Sequence, residues 1–301
     1  MIITENVRLS RVLRITWKTD LLVLNSCFAS YLLNEYIISK YFALPAMIPT
    51  VMGTALAFFI GFNNNQAYSR WWEARQIWGS LVNNSRSWAR GIIAYSETGD
   101  AKDTYKQRKA MVYRHIAFLY ALKGALRKQH LDDYKKYLPE DEIAEVERQT
   151  NKHNAILQLQ SRNLEAVYKE GGIDGFKFLH LNDMLVTFTD DMGKSERIKN
   201  TVFPPTYLYF TRLFIWMFGI IITIVASETT GLWSVVLGSI ISFVFHTTHI
   251  IGVSLLNPFE PDVAGISLDQ ITRTIEINLL EMLGESDIPA PIVPVNNEYV
   301  M

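Results

Sequence analysis

The sequence predicts an all-α integral membrane protein with four membrane helices and a large water-exposed helical part. Three observations predict it. Four apolar stretches each approach the roughly 20 residues that a bilayer-crossing helix needs. The 301 residues are 49% hydrophobic, yet 20% are charged; a fully bilayer-buried bundle carries fewer charges and a soluble domain fewer apolar residues. No alternating run is long enough to argue for a sheet, whereas helical spacing recurs through the middle of the chain.

The chain opens with MIITENVRLSRVLRITWK. Arg8, Arg11, Arg14 and Lys18 form a basic flank, and no small-residue cleavage site follows the next apolar run, so no cleaved signal peptide is expected. The first membrane stretch covers 20–42. Asn25, Asn34, Glu35 and Lys40 interrupt it, and such residues belong against protein or water rather than lipid. The second covers 45–62, the third 206–226 and the fourth 231–256. Lys and Arg are nearly absent from the links within each pair of stretches and abundant between the pairs. The positive-inside rule then puts both termini and the middle, about 66–203, in the cytoplasm of a cell with this protein in its inner (plasma) membrane. In that middle, 104–129, 138–149, 154–171 and 178–198 read as helices. The third opens after polar residues and ends at Gly171-Gly172; the second opens with Pro139 and a run of acids, a good helix start. Residues 257–301 complete the cytoplasmic part. The tail after Gly284, with Pro289, Pro291 and Pro294, reads as extended.

Several function classes fall away. A formal net charge of −1 gives no electrostatic footprint for nucleic acid. Cys27 is the single cysteine, which excludes an internal disulfide framework and a cysteine-based zinc site. No Ser-His-Asp set, P-loop or GxGxxG is visible, so the chain is not expected to be an enzyme or to need a cofactor. His246 and His249 stand three apart in FHTTH, a spacing open to a metal or haem ligand pair. The plainer reading is that they hydrogen-bond to neighbouring helices. Arg212 either pairs inside the bundle, with Glu35 as one possible partner, or snorkels to the interface. Trp71 and Trp72 suit an interfacial belt or cytoplasmic packing. Arg70, Glu73 and Arg75 suit solvated or inter-subunit ion pairs of small energetic value.

One stretch asks for more: TALAFFIGFNNNQAYSRWWEARQIWG, residues 54–79. It starts as a membrane helix and runs into three asparagines without a break signal. A helix that crosses the membrane and continues beyond it is the simplest account. Thr54, Phe58 and Phe62 stand four apart, on one face with about 40° of drift per step. Gly53 and Gly61 permit close helix approach. Two readings stay open on spacing alone. The phenylalanines pack a core or face lipid, or several copies of the helix surround an axis and the rings narrow a pore that gates by dewetting. The second needs an oligomer.

The segment IGFNNNQAYSRWWEARQIWGSLVNNSRSWAR (60–90) resembles the signature region of the bestrophin family, its bacterial members above all. LNDMLVTFTDDMGKSERIKNTVFPPTYLY (181–209), NPFEPD (257–262) and ISLDQITRTIEINLLEMLGESDIPAPIVP (266–294) resemble further family segments in the same order. The resemblance implies that 1–301 form one channel domain of a homopentamer that passes small monovalent anions such as chloride. It implies a neck at Thr54, Phe58 and Phe62, where Thr54 departs from the family's usual aliphatic residue. It also implies a cytoplasmic aperture at Phe203 or Val202; the pair Pro204-Pro205 leaves the alignment open by one. Below the neck, Asn63, Asn64 and Asn65 offer amide donors to an anion, or else pack as polar residues inside the helix bundle. Aromatic ring edges are positive and suit an anion. Some bacterial relatives conduct cations, so a cation channel of the same fold is one alternative. A non-conducting membrane adaptor that binds partners through 66–203 is another, and a redox protein using His246 and His249 a third. Eukaryotic members hold calcium with acids after Asn-Pro-Phe. Here only Glu260 and Asp262 stand there, followed by Val263, Ala264 and Gly265, too few for the 6–8 oxygens calcium takes; no metal is expected.

Overall fold

The computed structural model describes residues 9–96, 101–129 and 132–294. Among them all regular structure is helical, without a strand. The helices are α1 (Leu9–Tyr36), α2 (Met47–Tyr95), α3 (Ala101–Arg127), α4 (Glu140–Glu147), α5 (Lys152–Lys169), α6 (Gly175–Asn200), α7 (Pro205–Thr230), α8 (Trp233–Leu255) and α9 (Leu268–Leu283). The chain divides into two compact units.

The first unit comprises α1, the part of α2 up to Trp71, α7 and α8. Thr16–Lys40, Met47–Tyr95, Pro205–Thr230 and Trp233–Leu255 are long and apolar enough to cross a membrane. α1 starts eleven residues before the apolar stretch at Asp20, because Lys and Arg are good helix formers and nothing in the basic flank breaks a helix. Arg8 lies outside the described residues, as does the side chain of Arg11. α7 begins with Pro205 at its first position, where the missing N–H costs nothing.

Small and hydroxylated residues let α1, α7 and α8 approach closely, as lipid-embedded helices do. A Cβ on Gly238 would stand 2.1 Å from Thr223 Oγ1, and one on Gly219 would stand 2.2 Å from Ser242 Oγ. Asn34 Nδ2 donates to Ser227 Oγ at 2.8 Å, and Trp216 Nε1 donates to Ser26 Oγ at 3.0 Å. So Asn34, one of the polar interruptions in the first stretch, meets protein; Asn25, Glu35 and Lys40 are exposed on the single chain. These bonds also fix α1 and α7 as parallel. Glu35 therefore lies level with Ser227, about 22 Å along the helix from Arg212. The suggested Glu35–Arg212 pair does not form: the parallel register puts the two charges at opposite ends. Leu56, Ile60, Ile215 and Phe218 form the apolar core, joined by Met52, Ile222, Ile241 and Phe245.

The second unit comprises α2 from Trp72, α3 to α6 and α9. Its centre is aromatic. Trp88, His115, Phe118 and Phe188 meet with His115 and Phe188 only 4.3 Å apart between ring centroids. His115 Nε2 contacts Ser85 Oγ at 2.8 Å. Burial pushes the His115 imidazole down to about 3. The unfolded chain takes up a proton near 6.5 and the folded one does not. Stability is thus complete above about pH 6.5 and falls as pH drops below it, by roughly 1.4 kcal/mol per pH unit. Chemical denaturation across that range is expected to show this slope, and His115→Gln is expected to flatten it.

Helix ends follow their caps. Asn151 and Asp174 accept from Asn154 N at 3.0 Å and Lys177 N at 2.9 Å, opening α5 and α6. Gly171, at φ +79°, closes α5 with Gly172 N on Val167 O, the left-handed cap that glycine favours. Lys128 makes the same kind of turn after α3 at φ +53°, with Gln129 N on Gly124 O. A side chain there is strained, so Lys128→Gly is expected to stabilise the protein by about 1 kcal/mol in thermal unfolding.

Salt links and tyrosines tie α9 to α3. Lys123 and Arg127 both bind the Asp269 carboxylate. Tyr120 and Tyr137 donate to buried Glu276, and burial with that carboxylate pushes both phenols up. After Gly284 the chain is irregular, and Glu285 accepts from Tyr105 Oη at 2.7 Å and pairs with Lys109 at 2.5 Å.

Candidate functional site

Within the first unit α2 presents two unlike faces. Leu56, Ile60, Asn63 and Ala67 are buried. On the opposite side Thr54, Phe58, Phe62, Asn65 and Ser69 are all exposed on the single chain, within an arc of about 80°. Phe58 is 66% and Phe62 56% exposed, with ring centroids 5.5 Å apart and planes at 45°. The two adjacent open phenylalanines form a face outside this chain's own core. The Thr54 hydroxyl donates to Thr50 O at 2.9 Å. Its proton is thus taken up by the helix, and the residue is less polar toward the open side than its type suggests.

The three asparagines separate, because consecutive helical residues turn by 100°. Asn65 shares the Phe58/Phe62 face. Asn64 turns to α8, where Nδ2 donates to Thr248 O at 3.0 Å. Asn63 is 2% exposed on the opposite face, and neither amide atom has a hydrogen-bond partner. Asn63 and Asn64 are therefore directed away from the open face. That split was open to simple angular arithmetic along 54–65. The partner of Asn64 was not: a Cβ on Gly252 would come within 1.8 Å of Asn64 Oδ1, and only the fold reveals that this glycine admits the asparagine.

Val202 is 75% exposed, whereas Phe203 is half-buried edge-on against Tyr207, 5.9 Å between centroids. Tyr207 Oη in turn donates to Phe59 O at 3.2 Å, joining the start of α7 to the helix that carries the phenylalanines. His246 Nε2 lies 3.0 Å from Thr19 Oγ1. His249 is 1% exposed, with no partner on either ring nitrogen. Arg212 is exposed at the start of α7, and Tyr68 stacks on Trp71.

In the second unit Glu260 pairs with Lys199 at 2.8 Å, and Asp262 Oδ1 accepts from Val263 N at 2.6 Å. The turn closes around Gly265, where a Cβ would stand 2.2 Å from Glu260 O. Among the described residues no three His, Cys, Asp or Glu side chains group as metal ligands. Glu73 pairs with Arg197 at 2.5 Å, an exposed pair worth at most about 1 kcal/mol.

Residues 3–281 match the family described as bacterial/fungal bestrophin protein. The chain belongs to the bestrophin family. Among curated relatives, the voltage-dependent anion channel-forming protein YneE of Escherichia coli (strain K12) is 28% identical over 247 residues, spanning 81% of this chain and 79% of its own length. A voltage-dependent anion channel-forming protein of Mesorhizobium japonicum is 29% identical over 251 residues, spanning 83% and 78%. The crystal structure of a bacterial bestrophin homolog from Klebsiella pneumoniae superposes with a TM-score of 0.83 at 23% identity, covering 89% of this bestrophin and 98% of that chain. That likeness establishes the fold. This bestrophin is thus an all-helical membrane protein.

Proposed function

We propose that this bestrophin is a channel for small monovalent anions such as chloride, with a neck formed by Thr54, Phe58 and Phe62 from several copies of α2. The observation that carries the reading is the open aromatic face of α2, in a chain whose curated relatives are named anion channel-forming proteins. One α2 per chain supplies one wall, so copies must close around an axis; the family resemblance sets the number at five. An apolar constriction admits ions that shed water easily, which favours chloride over small, strongly hydrated ions. Ring edges and the Asn65 amide N–H then meet the anion. Val202 and Phe203 line the second aperture. The protein sits in the inner (plasma) membrane with both termini cytoplasmic, where Arg14 and Lys18 hold the flank of α1. It carries out no chemistry and needs no cofactor.

Two experiments test this. Native mass spectrometry from detergent is expected to give five copies; a monomer could not enclose the neck. Liposomes loaded with chloride are expected to release it when they hold the protein. Retention matching protein-free liposomes counts against a channel.

A further inference from the structure

A groove of about 510 Å³ lies between α1 and α8 in the first unit. Leu21, Leu24, Ile240 and Phe243 make its walls apolar, and the first three are exposed on the single chain. Asp20, Ser242 and His246 line it as well. His246 is accounted for. Its Nε2 lies 3.0 Å from Thr19 Oγ1, whose own proton goes to Thr16 O at 2.7 Å, so the imidazole is the donor. The other two are not. Asp20 Oδ2 is buried and accepts from no donor, and Ser242 is fully buried with its hydroxyl unpartnered. A carboxylate oxygen and a hydroxyl left unpaired among membrane helices are costly.

These groups stand in order along the groove. Thr19 meets His246, while Cys27 and Ser242 both come against Gly219 of α7. α1 and α8 therefore run in opposite directions. Ser242, one turn from His246, lies about 6 Å further into the span than the Thr19–His246 contact. Cations gather at the other end. Arg14 and Lys18 are exposed on α1. The Lys18 ammonium stands 5.7 Å from the centre of the Trp17 ring, which walls the groove. The charges of Arg212 and Asp20 both reach His246. From the basic flank inward, the groove thus offers cations, a carboxylate acceptor, a hydroxyl donor and an apolar wall.

We infer that this groove binds a phospholipid with a primary-ammonium head, phosphatidylethanolamine in class. The ammonium donates to Asp20, and the phosphate faces the cations of the basic flank. An ester carbonyl accepts from Ser242 Oγ, and an acyl chain lies along Leu24 and Ile240. A primary ammonium brings three N–H donors and a full charge to the carboxylate. A choline head has no N–H to donate and a glycerol head no charge to pair, so Asp20 is the residue that selects. The site stands apart from the α2 face and holds lipid whether or not the protein conducts.

Native mass spectrometry tests it, with the protein in detergent given equal amounts of phosphatidylethanolamine, phosphatidylcholine and phosphatidylglycerol of matched chains. Wild type is expected to retain phosphatidylethanolamine about fivefold over either of the others. Asp20→Asn, which keeps the shape and removes the charge, is expected to retain the three equally. Ile240→Trp, which fills the groove, is expected to lose the preference too. Equal retention by wild type, as follows if a second copy covers the groove, overturns the inference. So does a preference that survives in Asp20→Asn. Where that variant fails to fold, wild type decides with N-methylated phosphatidylethanolamines. Retention that falls as methyl groups replace the N–H donors supports the site, and retention that ignores them overturns it.

Discussion

Replacing Phe58 and Phe62 together with alanine is expected to raise the single-channel conductance about fivefold or more. The two rings are the bulkiest groups on the open face of α2, at 66% and 56% exposure. In a ring of copies they narrow the passage and make it apolar, and an apolar constriction resists wetting. Trimming each ring to a methyl widens the neck and lets water persist. Each kcal/mol taken from the resulting barrier multiplies the flux by about five. The fold should not suffer, because neither ring is buried in the subunit and the core on the far side, Leu56, Ile60, Ile215 and Phe218, is untouched. Single-channel recording beside a thermal-unfolding control separates the two effects. An unchanged conductance in a stable double variant places the neck elsewhere. Phe59 is the control: it lies edge-on to Tyr207, 6.2 Å between centroids, and its replacement is expected to disturb packing more than conduction.

Asp269→Ala is expected to destabilise the protein by about 3 kcal/mol, at the lower end of the range for a broken buried pair because Asp269 itself is partly exposed. Its two partners, Lys123 and Arg127, are buried. Losing the carboxylate strands two cations where water reaches them poorly, while Arg127 already has Nε and Nη2 without partners. Denaturant unfolding should show the loss as a lower midpoint at unchanged slope, and Asp269→Asn should fall between wild type and alanine. The pH dependence carries a sign. Burial alone would raise this carboxyl, but Lys123 and Arg127 hold it below its ordinary value of 3.8. Its stabilisation is therefore complete above that value and is lost as pH falls through the lower folded-state value. Acid unfolding of the alanine variant should lack this component.

Much of this was legible in the residues. The apolar stretches gave the candidate membrane helices to within a few residues for α7 and α8, where hydropathy and helix ends coincide. α1 and α2 outran their apolar stretches because helix formation does not stop where hydrophobicity does. Arg14 and Lys18 are as helical as Leu21, and Arg70 as helical as Phe62. α9 carries its own helical signal: Leu268, Thr272, Ile275 and Leu279 repeat at three and four and are all buried. Spacing put Thr54, Phe58 and Phe62 on one face but left open whether that face is packed; their exposure is a fact of the fold, and helical angle sets Asn63 and Asn64 apart from Asn65. Contacts between distant helices were not readable. Parallel α1 and α7 separate Glu35 from Arg212, and the seat of Asn64 on Gly252 depends on a packing that no local pattern encodes.

If the α2 face lines a pathway for anions, the passage of ions must be selective. The reversal potential of the purified protein in a planar bilayer, under a potassium chloride gradient, tests it most directly. A potential on the chloride side is expected, displaced toward zero when Phe58 and Phe62 are both alanine. A potential on the potassium side would contradict the role given to the ring edges and to the Asn65 N–H donors, and no current at all would contradict the pore itself.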